Sequence, residues 1–212
     1  MHPETHTRQQ AERFHELHQG PELLVLPNAW DVASACLFAG LNGCRAIATT
    51  SAGIAAGLGY LDGEQIRRDE MLDAVARIVA AVPVPVNADL ESGYGPSAAD
   101  TADTVDAAIE VGVGGINLED GDQGAPDRLV DTQDHVAKIV AAREVAESRG
   151  VPVVLNARTD VYWRSSESPM NASTTQLSDC VPTERPARTA CLSLASWSRM
   201  RSAASSGAWT VR

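Results

Sequence analysis

Asp89 and Glu91 stand two apart in Asp89-Leu90-Glu91-Ser92-Gly93-Tyr94-Gly95, and Glu119 closes the run Gly115-Ile116-Asn117-Leu118-Glu119. Positions two apart point to the same side of a strand, so Asp89 and Glu91 can converge at one strand's carboxyl end. Glu119 would then end the neighbouring strand, with Asp120 beside it. Three carboxylates from adjacent strand ends form an all-oxygen set suited to Mg²⁺, which takes six oxygens and usually keeps several as water. Zinc is disfavoured, because no His or Cys lies among these strand ends. The competing use of such acids is to cap the helices that follow. Arg158, in Asn156-Ala157-Arg158-Thr159-Asp160, leaves a further strand. There it could grip a carboxylate or phosphonate through paired N–H bonds and neutralise developing negative charge. A salt bridge to Asp160 or Glu119 is its alternative. Thr50-Ser51-Ala52-Gly53 could offer backbone N–H groups to an anion. Asp62 could act as acid, base or nucleophile, although Leu61-Asp62-Gly63 also reads as a plain turn.

The elements that must position these residues alternate short β-type runs with longer helical ones. Glu22–Pro27 reads as the first strand, and Asp31 as the N-cap of an apolar helix ending at Gly40. Arg45–Thr49 is the second strand, followed by a glycine-rich loop from Ser51 to Gly63. Helical periodicity runs through Ile66, Met71, Val75, Ile78 and Val79 within Gly63–Val82. Val84–Asp89 is the third strand, and Pro96 suits the first turn of a helix reaching Val111. Gly115–Glu119 is the fourth strand, Thr132–Ser148 a helix stopped at Gly150, and Val151–Asn156 the fifth strand. Alternation of this kind implies a parallel sheet with right-handed crossovers, its strands apolar on both faces. A (β/α) barrel and an open doubly wound sheet both gather ligands at the strands' carboxyl ends. No GxGxxG follows the first strand, which favours the barrel.

The formal net charge of −11 and the acidic isoelectric point exclude nucleic acid and anionic membranes as expected partners. No apolar run is long enough to span a bilayer, and the polar N-terminal stretch predicts a cytoplasmic protein. Cys36, Cys44, Cys180 and Cys191 show no metal-type spacing and read as reduced, partly buried thiols. His2, His6, His15, His18 and His135 are expected at the surface.

Beyond Arg164 the pattern stops. Residues 165–212 hold 11 serines, against 5 in the preceding 164 residues, and carry 5 Arg with 3 acids where 12 Lys+Arg face 25 Asp+Glu before. The division is therefore 1–164, the front of a barrel with about five βα units, and 165–212, a Ser/Arg-rich tail. That tail reads either as natural disorder or as the product of a shifted reading frame. Back-translated with GC-rich codons, it can hide a capped helix and a strand one frame over, which the coding DNA around codon 164 would test.

Together these residues resemble the isocitrate lyase / phosphoenolpyruvate mutase superfamily. The resemblance runs from Leu26 to about Tyr162 through LPNAWDVASA, TTSAGIAAGLGYLDG, VNADLESGYG, GINLEDG and NARTD. It implies an (α/β)₈ barrel, Mg²⁺, and a small 2-oxo acid or enolpyruvate substrate. It implies further that Asp89, Glu91 and Glu119 hold the metal and that Thr50, Ser51 and Ala52 bind the substrate anion. Asp62 would be the aspartate of the catalytic loop, and Arg158 the partner of the substrate carboxylate. The shared chemistry makes or breaks a C–C or P–C bond next to a pyruvate enolate. Members also pack a C-terminal helix against a partner subunit, so an intact relative is expected to be a homo-oligomer, whereas in this chain that helix is expected to be missing. Lyases of the family carry a Lys-x-Cys-Gly-His loop after the fourth strand. Here that loop reads Asp120-Gly121-Asp122-Gln123-Gly124-Ala125-Pro126-Asp127-Arg128, without Cys or His. Isocitrate or methylisocitrate cleavage by the usual route is thereby disfavoured. Phosphonomutase, phosphonopyruvate hydrolase and oxaloacetate-type decarboxylase chemistry needs no such cysteine. A catalytically inactive barrel fragment and a metal-free binding module are the readings from other classes.

Overall fold

The computed structural model describes residues 3–160 apart from Pro126 and Asp127. The expected tail 165–212 lies outside the described residues, as do Tyr162 and Arg164. The elements run α1 (Pro3–Gln19), β1 (Asn28–Ala29), α2 (Val32–Ala39), β2 (Ile47–Thr49), α3 (Ser51–Gly57), α4 (Arg68–Ala81), β3 (Val86–Asp89), α5 (Ala98–Val111), β4 (Gly115–Glu119), α6 (Thr132–Ser148) and β5 (Val154–Arg158). All strand pairings are parallel, and the spatial order β1-β2-β3-β4-β5 follows the chain. A doubly wound sheet reverses its strand order at a switch point, whereas a barrel adds each βα unit beside the last. The unbroken order therefore belongs to the barrel architecture.

Local sequence explains where the elements begin and end. Asp31 caps α2 and Ser97 caps α5, each in a reciprocal capping box, with Ser34 and Asp100 as the respective partners. Gly112 ends α5 at φ 98°, a left-handed stop that favours glycine. The strands supply Ile47, Val86, Ala88, Ile116, Leu118 and Leu155 to one core, packed against Met71, Val75 and Ile78 of α4 and Val105 and Ile109 of α5. Helix α1 closes the amino-terminal end of the sheet. Its Phe14 packs with Ala46 and Val154 and lies so close to Gly115 that any side chain there would strike the ring. The opposite, carboxyl end is left to the site.

Several expected boundaries shift. The first strand pairs only at Asn28–Ala29, beyond the expected Glu22–Pro27, and Leu23 and Val25 are exposed. The glycine-rich loop after β2 begins with helix α3, nucleated by Thr50, whose hydroxyl accepts from the Gly53 N–H at 3.3 Å. Strand β5 starts later than expected and includes Arg158 as its last residue. Cys36 is exposed rather than partly buried, while Cys44 is half-buried. His135 is not at the surface: it is 7% exposed, because the first turn of α6 packs beside Asp120 and Asp160.

Candidate active site

Strand register brings the polar residues into line. Asp89 pairs with Asn117, Asn117 with Asn156, and Glu119 with Arg158. The Asn156 Nδ2 donates to Asn117 Oδ1 at 2.6 Å, and Asn117 Nδ2 donates to Asp89 Oδ1 at 2.9 Å. Ser51 completes the shell, donating its backbone N–H (3.1 Å) and its hydroxyl (2.8 Å) to Asp89 Oδ2. The Asp89 N–H is itself donated to Thr49 Oγ1 at 2.9 Å. Asp89 is thus fixed from β2, from the start of α3 and from β4. This arrangement differs from the open anion cradle expected at Thr50–Ala52: the Ser51 N–H is directed at Asp89.

Glu91 and Glu119 are buried, at 2% and 6% exposure. Glu91 Oε2 accepts the Glu64 N–H at 2.5 Å, and Oε1 accepts the Tyr94 hydroxyl at 3.1 Å. Burial dominates the carboxyl group and pushes its pKa up to about 7, against the hydrogen bond from Glu64. Glu119 Oε2 lies 3.0 Å from Arg158 Nη1, and Oε1 accepts from Gln123 Nε2 at 3.4 Å. Its burial outweighs the nearby guanidinium, and the pKa is pushed up to about 8. Arg158 also donates Nε to Asp160 Oδ1 at 2.7 Å. Both alternatives foreseen for this arginine are therefore realised, and it still faces the cavity. Asp120 does not join the acids. It accepts the Thr159 hydroxyl at 2.6 Å and the Asp160 N–H at 2.7 Å, which ties the ends of β4 and β5 together.

One cavity of about 500 Å³ is lined by Thr50, Ser51, Ala52, Asp62, Asp89, Glu91, Glu119 and Arg158. It thus collects every candidate site residue, with Asp62 at an exposed rim position. Asn28, Gly63, Gln65, Gln123 and Asp160 complete the lining. Sequence reasoning missed Glu64, Asn117, Asn156 and Gln123. Asn117 and Asn156 could have been found, since each lies two residues before a candidate and so shares its strand face. Glu64 carried no comparable signal. Among the described residues, no three His, Cys, Asp or Glu side chains stand close enough to hold one ion directly.

The sequence profile of the phosphoenolpyruvate phosphomutase family matches residues 14–178. The chain belongs to that family. An uncharacterised protein of Mycobacterium tuberculosis is 37% identical over 151 residues, which is 71% of this chain and 54% of that protein. The chain thus spans about half the length of the curated relative it matches. A Burkholderia cenocepacia protein described as a phosphonomutase superposes with a TM-score of 0.72 at 38% identity, covering 81% of this chain and 67% of that one. The crystal structure of 2,3-dimethylmalate lyase, a member of the PEP mutase/isocitrate lyase superfamily, gives a TM-score of 0.70 at 28% identity, covering 81% and 57%. Family members are thus lyases and phosphonomutases on a barrel of which this sheet supplies the first five strands. No helix among the described residues is long and apolar enough to cross a membrane.

Proposed function

We propose that the cavity is the site of a Mg²⁺-dependent lyase or mutase that forms or cleaves a C–C or P–C bond next to a pyruvate enolate. The substrate would be a small 2-oxo acid or enolpyruvate-type acid, handled in the cytoplasm. The observation that carries this reading is the single cavity in which Asp89, Glu91 and Glu119 face Arg158 and the start of α3.

The residues fit a hard divalent cation. All three acids are oxygen donors, and two are so buried that charge is disfavoured unless a cation compensates it. Because no three acids converge directly, Asp89, Glu91 and Glu119 would hold the ion partly through water, as Mg²⁺ commonly permits. Bound there, magnesium would stabilise negative charge on the substrate's enolate oxygen. Arg158 would bind the substrate carboxylate, its guanidinium held in place by Glu119 and Asp160. In the Thr50–Ala52 segment the Thr50 and Ser51 N–H groups are already given to the Ala29 carbonyl and to Asp89, so Ala52 in the first turn of α3 would take the remaining anionic oxygens. Asp62, at the rim, would move the proton or take the group in transfer. Gln123 lies in the loop where lyases of the family carry cysteine, and a glutamine amide supplies neither acid nor base. The chemistry would therefore run without a protein thiol.

A second reading is a barrel fragment that binds but does not turn over. It is favoured by the outer sides of β1 and β5, which have no strand partner among the described residues. Assaying Mg²⁺-dependent pyruvate release from oxaloacetate, phosphonopyruvate and methylisocitrate separates the two. Turnover by the 212-residue chain that vanishes in Asp89→Ala supports the enzyme. Turnover only after the reading frame beyond codon 164 is restored supports the fragment.

A further inference from the structure

Three non-glycine residues have left-handed backbone among the described residues: Glu64 at φ 53°, Glu91 at φ 50° and Tyr94 at φ 58°. All three meet in one cluster. Glu64 donates its N–H to Glu91 at 2.5 Å, while its Oε1 accepts from the Ser92 hydroxyl at 2.7 Å and from the Tyr94 N–H at 2.9 Å. The Tyr94 hydroxyl returns to Glu91. Unfavourable backbone of this kind persists only where the surroundings over-determine it, and it concentrates at functional sites. The same loop is also held from α6, by a residue that lines one cavity with Glu64. Lys138 is 3% exposed, and its ammonium donates to the Ser92 carbonyl at 2.9 Å and the Gly95 carbonyl at 2.7 Å. An ammonium is buried at such a position only when its hydrogen bonds are met. The loop has little slack of its own. Gly93 sits at φ 99°, and a side chain there would stand 2.6 Å from Thr101 Oγ1.

We propose that Glu64 and Lys138, which line one cavity with Ser92 and Gly95, are positioning residues that together grip the Glu91 loop and thereby set the cation affinity of the site. The proposal rests on reading Glu91 as one of the ion's holders. Glu64 lies two residues from Asp62, so the same grip fixes the Asp62 segment against the loop that carries Glu91. Neither residue reaches the cavity's reacting centre. Their action is through Glu91, as is common for groups that orient metal-holding carboxylates.

The test uses the full 212-residue chain and two readouts: amide hydrogen exchange, and Mn²⁺ titration followed by electron paramagnetic resonance. In Glu64→Ala and Lys138→Met, exchange at Gly93 and Tyr94 should speed at least about tenfold while Ile116 and Leu118 of β4 stay protected. Mn²⁺ affinity should weaken about 10- to 100-fold in the same two variants. Glu64→Gln keeps the oxygen that accepts from Ser92 and Tyr94, so it should behave like the parent in both readouts. Unchanged exchange in Glu64→Ala, or Glu64→Gln as damaging as alanine, overturns the grip. Loss of β4 protection in Lys138→Met would mark general unfolding, and the Glu64 pair then decides. A parent chain that takes no Mn²⁺ overturns the metal reading and the affinity half of this proposal. Exchange still judges the grip by itself.

Discussion

The two walls of the cavity are built on opposite plans. The wall formed by β3, β4 and β5 is a cross-strand ladder, Asn156 to Asn117 to Asp89, whose members are fixed by register and by hydrogen bonds of 2.6 to 2.9 Å. The other wall is the segment between α3 and α4, which brings Asp62 to the rim and touches the ladder side mainly through Glu64. The ladder wall suits binding, because pre-oriented charge requires no rearrangement when substrate arrives. The loop wall suits a step that needs access and closure. On the proposed function, holding and transferring would be divided between the two walls.

Breaking the ladder should have the largest effect. Asp89→Ala strips the acceptor from Ser51 and Asn117, leaving donors unpaired at about 1–3 kcal/mol of stability. It should also remove detectable Mg²⁺ binding, as read by calorimetric titration. Removing an outer rung is milder. Asn156→Ala should cost about 1 kcal/mol in urea unfolding and weaken ion binding less than Asp89→Ala does.

Glu119 gives the comparison a pH dependence. Its pKa in the folded chain is about 8, above its ordinary 4.5, so folding retains a proton that the unfolded chain releases. That stability is complete below about pH 4.5 and is lost as pH rises through about 8; Glu91 adds the same trend through about 7. Without metal, the melting temperature should therefore fall between pH 6 and pH 9, and Glu119→Gln should flatten the slope. Saturating Mg²⁺ should oppose the fall, because bound carboxylates must be deprotonated. The smallest structural effect belongs to the loop wall. Asp62→Asn at the exposed rim should leave the melting temperature and Mg²⁺ affinity essentially unchanged while lowering turnover, and a large loss of ion affinity would move Asp62 to the binding wall.

The ladder wall was the more legible in sequence. The spacing put Asp89 and Glu119 at strand ends, and β4 (Gly115–Glu119) and α6 (Thr132–Ser148) match their expected limits; Glu91 does not continue the strand as expected but reaches the cavity from the turn after β3, with left-handed backbone at φ 50°. Capping residues at Asp31 and Gly150 were equally plain, because local backbone chemistry decides them. What escaped was set by tertiary packing. Helix α3 hid in a glycine-rich stretch because small residues there signal a loop, yet Gly53 is needed beside Thr50 and Trp30, whose side chains stand 2.6 and 2.9 Å from where its Cβ would be. His135 looked like a surface histidine because a helix's buried face depends on what α6 packs against. Glu64 and Lys138 lie 74 residues apart and are brought together on the Glu91 loop only by the packing of α6.

On the proposed function this cavity would join a divalent cation to an enolate-like dianion. Oxalate, a planar dianion with adjacent oxygens like those of a pyruvate enolate, tests it by calorimetric titration with and without Mg²⁺. Mg²⁺ should tighten oxalate binding at least about tenfold, and Asp89→Ala should abolish the gain. Oxalate bound equally well without Mg²⁺, and equally well by the variant, would contradict it.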